Sequence, residues 1–346
     1  MTRFFQTDMK KIGFLCPISG DSLAALQRSN LASIRLRTAL AWSAMEARGS
    51  FCRLSDGQTD DQTDLIIVSK IDCVRDEHRS IRWLKHLTNL KNSGSRIMID
   101  YTDHHLCTQS PSATFYRAAL PLADVVICSS SQLATFLAAE VSSPIRVIED
   151  PIEVEIMEPK VQASENITAI WFGHASNLPY LVEYLHSDFR AVGRFRLILM
   201  TNSYPLPPQY VQRLNAVHLK DLEIIVLPWT SDDMKLVAGL ADFCLIPAGV
   251  GDPRKQGASS NRLLTALALG LPVAADPLPS YVAFQKYFIP LRPDGFESLA
   301  HDSKIWHTRV IQAQNFIAKN YTFHSIGPKW THLIESFFEY SLVPTH

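Results

Sequence analysis

Arg254-Lys255-Gln256-Gly257-Ala258-Ser259-Ser260-Asn261-Arg262-Leu263-Leu264-Thr265-Ala266-Leu267-Ala268-Leu269-Gly270-Leu271-Pro272-Val273-Ala274-Ala275-Asp276 divides into a loop, a helix, a stop and a strand. Ser259 and Ser260 are residue types that cap a helix N-terminus. Gly270 stands where a helix ends in a left-handed residue, and Pro272 then opens a short apolar strand. Leu263, Leu264, Leu267 and Ala268 form one stripe on the helix. Arg262 and Thr265 lie on the other side together with Ala266 and Leu269, so the helix is apolar nearly all round and expects cover on both faces. A helix start with unpaired amides and nearby Lys255 and Arg262 suits a phosphate. An ordinary buried helix with a basic cap fits the same residues.

Outward from this stretch, apolar runs alternate with helical ones. Before it, strands are expected at Thr168–Phe172, Arg196–Met200, Glu223–Leu227 and Asp242–Ile246, and helices near Asn177–His186, Pro208–Val217 and Ser231–Leu240. An earlier series has strands at Lys11–Cys16, Leu65–Val68, Arg96–Asp100, Asp124–Cys128 and Ile145–Ile148. Its helices are Leu31–Ala47, Glu77–Leu90 and Ser130–Ala139. Helices at Trp306–Lys319 and Lys329–Tyr340 end the chain. Continuous apolar strands between helices predict parallel sheets covered on both faces. The Glu-rich segment Glu149–Asn166, with Pro151 and Pro159, reads as a linker. The expectation is α/β architecture with two Rossmann-like, doubly wound domains facing a cleft: residues 1–155, residues 156–325, and a terminal helix, 326–346, crossing back to the first.

The 346 residues are 47% apolar and 19% charged with a net charge of −1, which excludes a disordered or coiled-coil chain. Residues 1–150 count 17 basic against 16 acidic, and the rest 16 against 18, so neither part has the excess of a nucleic-acid binder. Six cysteines without a CxxC pair read as free thiols in a reducing compartment. No apolar run resembles a signal peptide or a membrane span, so the expected location is cytoplasmic. Glu77–Lys91 mixes Arg79, Arg82, Lys85 and Lys91 with Trp83. That pattern fits either an exposed helix or peripheral contact with the inner face of a membrane.

Several further residues are candidates. Asp103, His104 and His105 follow a strand end, and are of the types that act as acid or base; a polar loop is the plainer reading. No metal is expected there, because adjacent histidines point apart. Arg35 suits a phosphate or an acidic acceptor, or a solvated helix face. Trp229, after a strand, suits stacking on a base or filling the core.

Thr265-Ala266-Leu267-Ala268-Leu269-Gly270-Leu271-Pro272-Val273 resembles the helix–glycine–proline–valine signature of GT-B glycosyltransferases, especially family 4. Ile170-Trp171-Phe172-Gly173-His174 is similar to the first strand and glycine turn of that family's donor domain. Ala241-Asp242-Phe243-Cys244-Leu245-Ile246-Pro247 resembles the strand before the donor site. Asp124–Ser130 and Val147–Glu153 are similar to the end of the acceptor domain and the interdomain turn. The resemblance implies sugar transfer from a nucleotide sugar to a carbohydrate or lipid-linked acceptor, in polysaccharide or glycoconjugate synthesis, without a metal or other cofactor. The expected donor phosphate site is Gly173, His174, Lys255, Ser259, Ser260, Asn261, Arg262 and Thr265; the family's Arg/Lys pair after the first donor-domain strand is absent, with His174 near its place, so Lys255 and Arg262 are the cations expected to neutralise the diphosphate. The family's two glutamates, separated by seven residues, fall on Gly257 and Thr265, so their roles do not carry over. A catalytically silent binding protein and a nucleotide-sugar epimerase are the competing readings.

Overall fold

The computed structural model describes the chain except residues 1–8, 19–21, 59–61, 74–75, 77, 160–166, 188, 190–193, 218–221, 292–302 and 340–346. Part of the expected linker, with Asn166, therefore lies outside the described residues. Two compact units form: Met1–Asp150 with Phe323–His346, and Pro151–Thr322.

The first unit holds β1 (Lys11–Leu15), β2 (Phe51–Ser55), β3 (Leu65–Val68), β4 (Arg96–Tyr101), β5 (Val125–Cys128) and β6 (Ile145–Val147). All pair in parallel, in the order β2-β1-β3-β4-β5-β6. Its first helices are α1 (Leu23–Gln27), α2 (Ala39–Glu46), α3 (Arg79–Asn92), α4 (Pro111–Ala119) and α5 (Ser131–Leu137). The second unit holds β7 (Ile167–Gly173), β8 (Phe195–Thr201), β9 (Leu222–Pro228), β10 (Phe243–Ile246), β11 (Val273–Ala275) and β12 (Ile289–Pro290), again all parallel, ordered β12-β11-β10-β7-β8-β9. Its helices are α6 (Leu178–Ser187), α7 (Pro208–Asn215), α8 (Ser231–Leu240), α9 (Pro253–Gln256), α10 (Asn261–Ala268) and α11 (Ser303–Asn320). The last helix, α12 (Phe323–Glu339), belongs to the first unit.

The runs Leu65–Val68, Val125–Cys128 and Phe243–Ile246 are buried at every position, because helices cover both faces of each sheet. Each sheet has a point where strand order reverses direction, between β1 and β3 and between β7 and β10. Ligands of such folds bind outside the carboxyl ends of the strands at these points.

Besides the short α1, α9 and β12, which the sequence reading did not include, four elements depart from it. β2 was not anticipated: its residues are half-buried or exposed at a sheet edge and carry Arg53, so no apolar run marks it. α4 was also missed, although Ser110 Oγ accepts from Ala113 N and Pro111 opens the helix, a legible start signal. The helix expected at Leu31–Ala47 contains a π turn, Ile34–Thr38, ahead of α2. α12 begins at Phe323 and runs through Pro328, because Ile326 and Trp330 are anchored on either side in the first unit's core.

The first unit contains a charge cluster the sequence did not reveal. Arg37, on the π turn, is fully buried. Its Nε donates to both carboxylate oxygens of Asp100 at 2.9 and 2.8 Å. Its Nη1 donates to Ile148 O at 2.6 Å and Asp150 Oδ1 at 2.8 Å. Burial pulls this guanidinium down, but Asp100 and Asp150 outweigh burial and hold it above its ordinary range.

Candidate functional site

The second unit places its candidate residues at the carboxyl ends of β7 and β10. β7 ends at Gly173, and the chain turns through His174, whose Nδ1 accepts from Ser176 N at 3.2 Å. α10 follows β10 after a loop containing the short α9. Ser259 Oγ accepts from Asn261 N at 3.1 Å, so Ser259 supplies the side-chain bond at the helix start while Ser260 occupies the cap position without one. Asn261 Nδ2 donates to Pro151 O at 3.1 Å. At the other end Gly270 takes φ +80°, and a Cβ there would lie 2.8 Å from Glu158 O, which explains the glycine.

Arg262 is the centre of this arrangement. Its Cζ stands 5.1 Å from the Trp171 ring centroid and 5.9 Å from that of Phe172. The residue is half-buried, yet Nε and Nη2 are shielded from solvent and have no hydrogen-bond partner. These two nitrogens form one edge of the guanidinium, the fork that matches two oxygens of a phosphate or carboxylate. Burial pulls Arg262 below its ordinary range. Its electrostatic neighbours Tyr281 and Cys244 are each pushed up to about 12 by burial, so at neutral pH neither supplies an anion. An unpaired cation below the surface is costly to keep, and marks a candidate ligand site. Gly173 makes room for it: a Cβ there would lie 3.3 Å from Nε and 3.4 Å from Cζ.

Lys255 lies nearby on the same loop. Its Nζ donates to Asn177 Oδ1 at 2.6 Å and stands 5.4 Å from the Tyr180 ring. Tyr180 and Arg254 both bond Asp252, which caps α9. The cap signal Asp252-Pro253 was legible in sequence, whereas the roles of Tyr180 and Asn177 depend on tertiary contact. Thr265 is buried with Oγ1 unpartnered. Trp229 is half-buried against the second unit's core, its N donating to Thr201 O at 2.9 Å.

In the first unit, Asp103, His104 and His105 follow the carboxyl end of β4, where Lys70, after β3, pairs with Asp103. The Asp103 side chain is 38% exposed. His104 stacks on Phe136 at 5.1 Å, and burial lowers its pKa. His105 stacks on Tyr116 at 4.9 Å, its Nε2 buried without a partner; burial lowers its pKa to about 4. Arg35 Nη1 donates to Ser29 O at 2.6 Å, bracing the loop before its own helix. On α3, Trp83 is fully buried with Nε1 on Asp56 O, Arg82 pairs with Asp76 and Lys91 with Asp124. The aromatic that suggested a membrane face therefore belongs to the core, and the basic face is largely tied to acids. Among the described residues no group of three or more His, Cys, Asp or Glu is placed to hold a metal ion. No helix there is long and apolar enough to cross a membrane.

No known family pattern matches the sequence, and no curated protein is similar to it. Solved structures do resemble it. The DNA-modifying enzyme beta-glucosyltransferase matches at TM-score 0.53 and 11% identity, over 94% of this chain and 98% of that one. The T4 phage enzyme in complex with its UDP-glucose substrate matches at 0.52 and 12%, over the same shares. OtsA matches at 0.51 and 10%, over 89% of this chain and 77% of that one. Two six-stranded parallel sheets in these strand orders, with these likenesses, identify the architecture: the chain has the GT-B glycosyltransferase fold.

Proposed function

We propose that this protein transfers a sugar from a nucleotide-activated donor to a carbohydrate or lipid-linked acceptor. The observation that carries the reading is the unpaired Nε–Nη2 edge of Arg262, beside Gly173 at the carboxyl end of β7. A T4 phage enzyme of the same fold was solved with UDP-glucose, a donor whose diphosphate this edge suits.

In this reading Arg262 takes two oxygens of the donor's diphosphate, and Lys255 meets the remaining charge. The amides of α10, behind Ser259, Ser260 and Asn261, face the same anion, and His174 lines the turn. Trp229 stacks on the nucleobase. The bond from the sugar's anomeric carbon to the diphosphate oxygen breaks, and its electron pair leaves on the nucleoside diphosphate. The cations and amides stabilise that developing charge. The acceptor oxygen forms the new bond to the anomeric carbon. Its proton passes to a general base, for which Asp103, with a side chain 38% exposed, is the candidate in the first unit's cluster. His105, with its stacked ring and low pKa, shapes that cluster rather than acting as its base. Gly257 and Thr265, which carry no carboxylate, leave the charge on the diphosphate to cations and amides alone.

The test pairs binding with turnover. Wild-type protein is screened by thermal shift against nucleotides and nucleotide sugars; a hundredfold excess over Kd stabilises by about 2.7 kcal/mol. Donor turnover is then compared for Lys255→Ala, Arg262→Ala and Thr265→Ala. Loss of roughly a hundred- to thousandfold for the cation variants, with little loss for Thr265→Ala, supports the reading. Near-wild-type rates for both cation variants put the phosphate elsewhere. Binding without turnover of any donor makes the chain a silent relative.

A further inference from the structure

Tyr180, in the first turn of α6, is the point on which the loop between β10 and α10 closes. Its hydroxyl donates to Asp252, and Arg254 Nη2 donates to that hydroxyl at 3.3 Å. Arg254 Nε donates to both carboxylate oxygens of Asp252 at 3.0 Å. Asp252 Oδ1 also accepts from Arg254 N at 2.9 Å and so caps α9, the short helix that carries Lys255. Bonding to Arg254 holds the Asp252 carboxyl below its ordinary range. Burial pushes the Tyr180 hydroxyl up to about 12, so it remains a donor at neutral pH. Gly249 takes φ +62°, and a Cβ there would run into the Tyr180 ring.

The same ring faces Lys255. Nζ stands 5.4 Å from its centroid and donates to Asn177 Oδ1 at 2.6 Å. A lysine is a compact charge on a flexible stem, and ordering that stem costs rotamer entropy. Here the stem is ordered before any ligand arrives. It is ordered on the turn that follows β7: Asn177 N donates to His174 O at 2.9 Å, and Gly173, just before His174, abuts the Arg262 guanidinium. The two cations are thus held on one turn, residues 173–177, Arg262 at its start and Lys255 at its end.

We propose that Tyr180, together with Asn177, is a positioning residue that holds Lys255 for the second phosphate of a diphosphate, and so makes the site select diphosphates over monophosphates. The planar fork of Arg262 is satisfied by two oxygens of a single phosphate. A monophosphate seated on that fork gains little from a cation held at the other end of the turn, whereas a diphosphate reaches both. Because Tyr180 and Asn177 order the lysine beforehand, the diphosphate does not bear that cost on binding. Loss of either contact leaves the charge of Lys255 in place but releases its stem. The effect therefore falls on the preference between the two anions, not on anion binding as such. The inference rests on the anion site of the sugar-transfer reading, but not on turnover.

The experiment is titration calorimetry of the full chain with inorganic pyrophosphate and with orthophosphate, and the quantity read is the ratio of the two affinities. Wild type should prefer pyrophosphate. Tyr180→Leu should lower that preference about fivefold, the scale of a lost cation–π contact, and leave orthophosphate affinity unchanged. Tyr180→Phe keeps the ring and should keep the wild-type ratio. Asn177→Ala leaves Asp252 untouched and should also lower the ratio about fivefold, with an unchanged melting temperature, so the test survives if Tyr180→Leu fails to fold. Lys255→Ala should lower the ratio at least as far, and adding Asn177→Ala or Tyr180→Leu to it should lower it no further. A purely structural role for Tyr180 would instead give an additive loss for both anions, which would overturn the proposal. It is also overturned if Tyr180→Leu and Asn177→Ala keep the wild-type ratio while Lys255→Ala loses it; the sugar-transfer reading then stands. If wild type binds neither anion, or if Lys255→Ala and Arg262→Ala both bind pyrophosphate as wild type does, the anion site lies elsewhere and both readings fall.

Discussion

Arg262 sets function against stability within one side chain. Its unpaired edge, out of solvent, favours an anion and disfavours the empty state. Arg262→Met should therefore raise the melting temperature of the unliganded protein, by about 1–3 kcal/mol of stability, and abolish the thermal shift given by nucleotide diphosphates. Urea denaturation with and without ligand measures both effects. Gly173→Ala should act through the same group. Its Cβ at 3.3 Å from Nε forces the guanidinium aside by a few tenths of an ångström. We expect nucleotide affinity to fall about tenfold, as read by titration calorimetry. His105 gives a pH signature. Burial lowers its pKa from 6.5 to about 4, so the unfolded chain binds the proton more readily. Its contribution to stability is complete above about pH 6.5, declines by up to about 1.4 kcal/mol per pH unit toward pH 4, and changes no further below that. His105→Phe should flatten this slope in denaturation curves taken across the window; an unaltered slope would refute the assignment.

At the scale of elements, α10 is tied at both ends to other segments by side-chain hydrogen bonds. Asn261 ties its start to Pro151 O. At its end Gln314, on α11, donates from Nε2 to Met157 O at 2.7 Å, Leu267 O at 3.1 Å and Ala268 O at 3.3 Å. Leu267 O and Ala268 O belong to the last turn of α10, where carbonyls lack the i+4 amide of a continuing helix. Gln314→Leu strips that donor from a buried position and should destabilise the second unit by about 1–3 kcal/mol, seen as a lower denaturation midpoint. The start of α10 was legible in Ser259-Ser260 and its end in Gly270-Leu271-Pro272, because caps act within a few residues. Gln314 was not, since it lies more than forty residues away in sequence.

At the scale of the molecule, two units with separate cores predict separable responses. Arg37→Met leaves Asp100 buried without its partner and should cost the first unit about 3–5 kcal/mol. A nucleotide diphosphate should raise the transition of the second unit alone. Calorimetry on wild type, on Arg37→Met and on the liganded protein checks both; a single transition moved equally by each would refute the separation. The sequence alone determined that there are two parallel α/β series, where nearly all their buried strands lie, and which loop and helix carry the cations. It could do so because burial on both faces of a parallel sheet writes itself as continuous apolar runs, and because helix caps are local. Only the tertiary structure decided that Arg262 is unpaired, that Arg37 is fully satisfied and that Trp83 is core. Those facts depend on which side chains meet across distant strands and helices, and a guanidinium reads the same in sequence whether an aspartate faces it or nothing does.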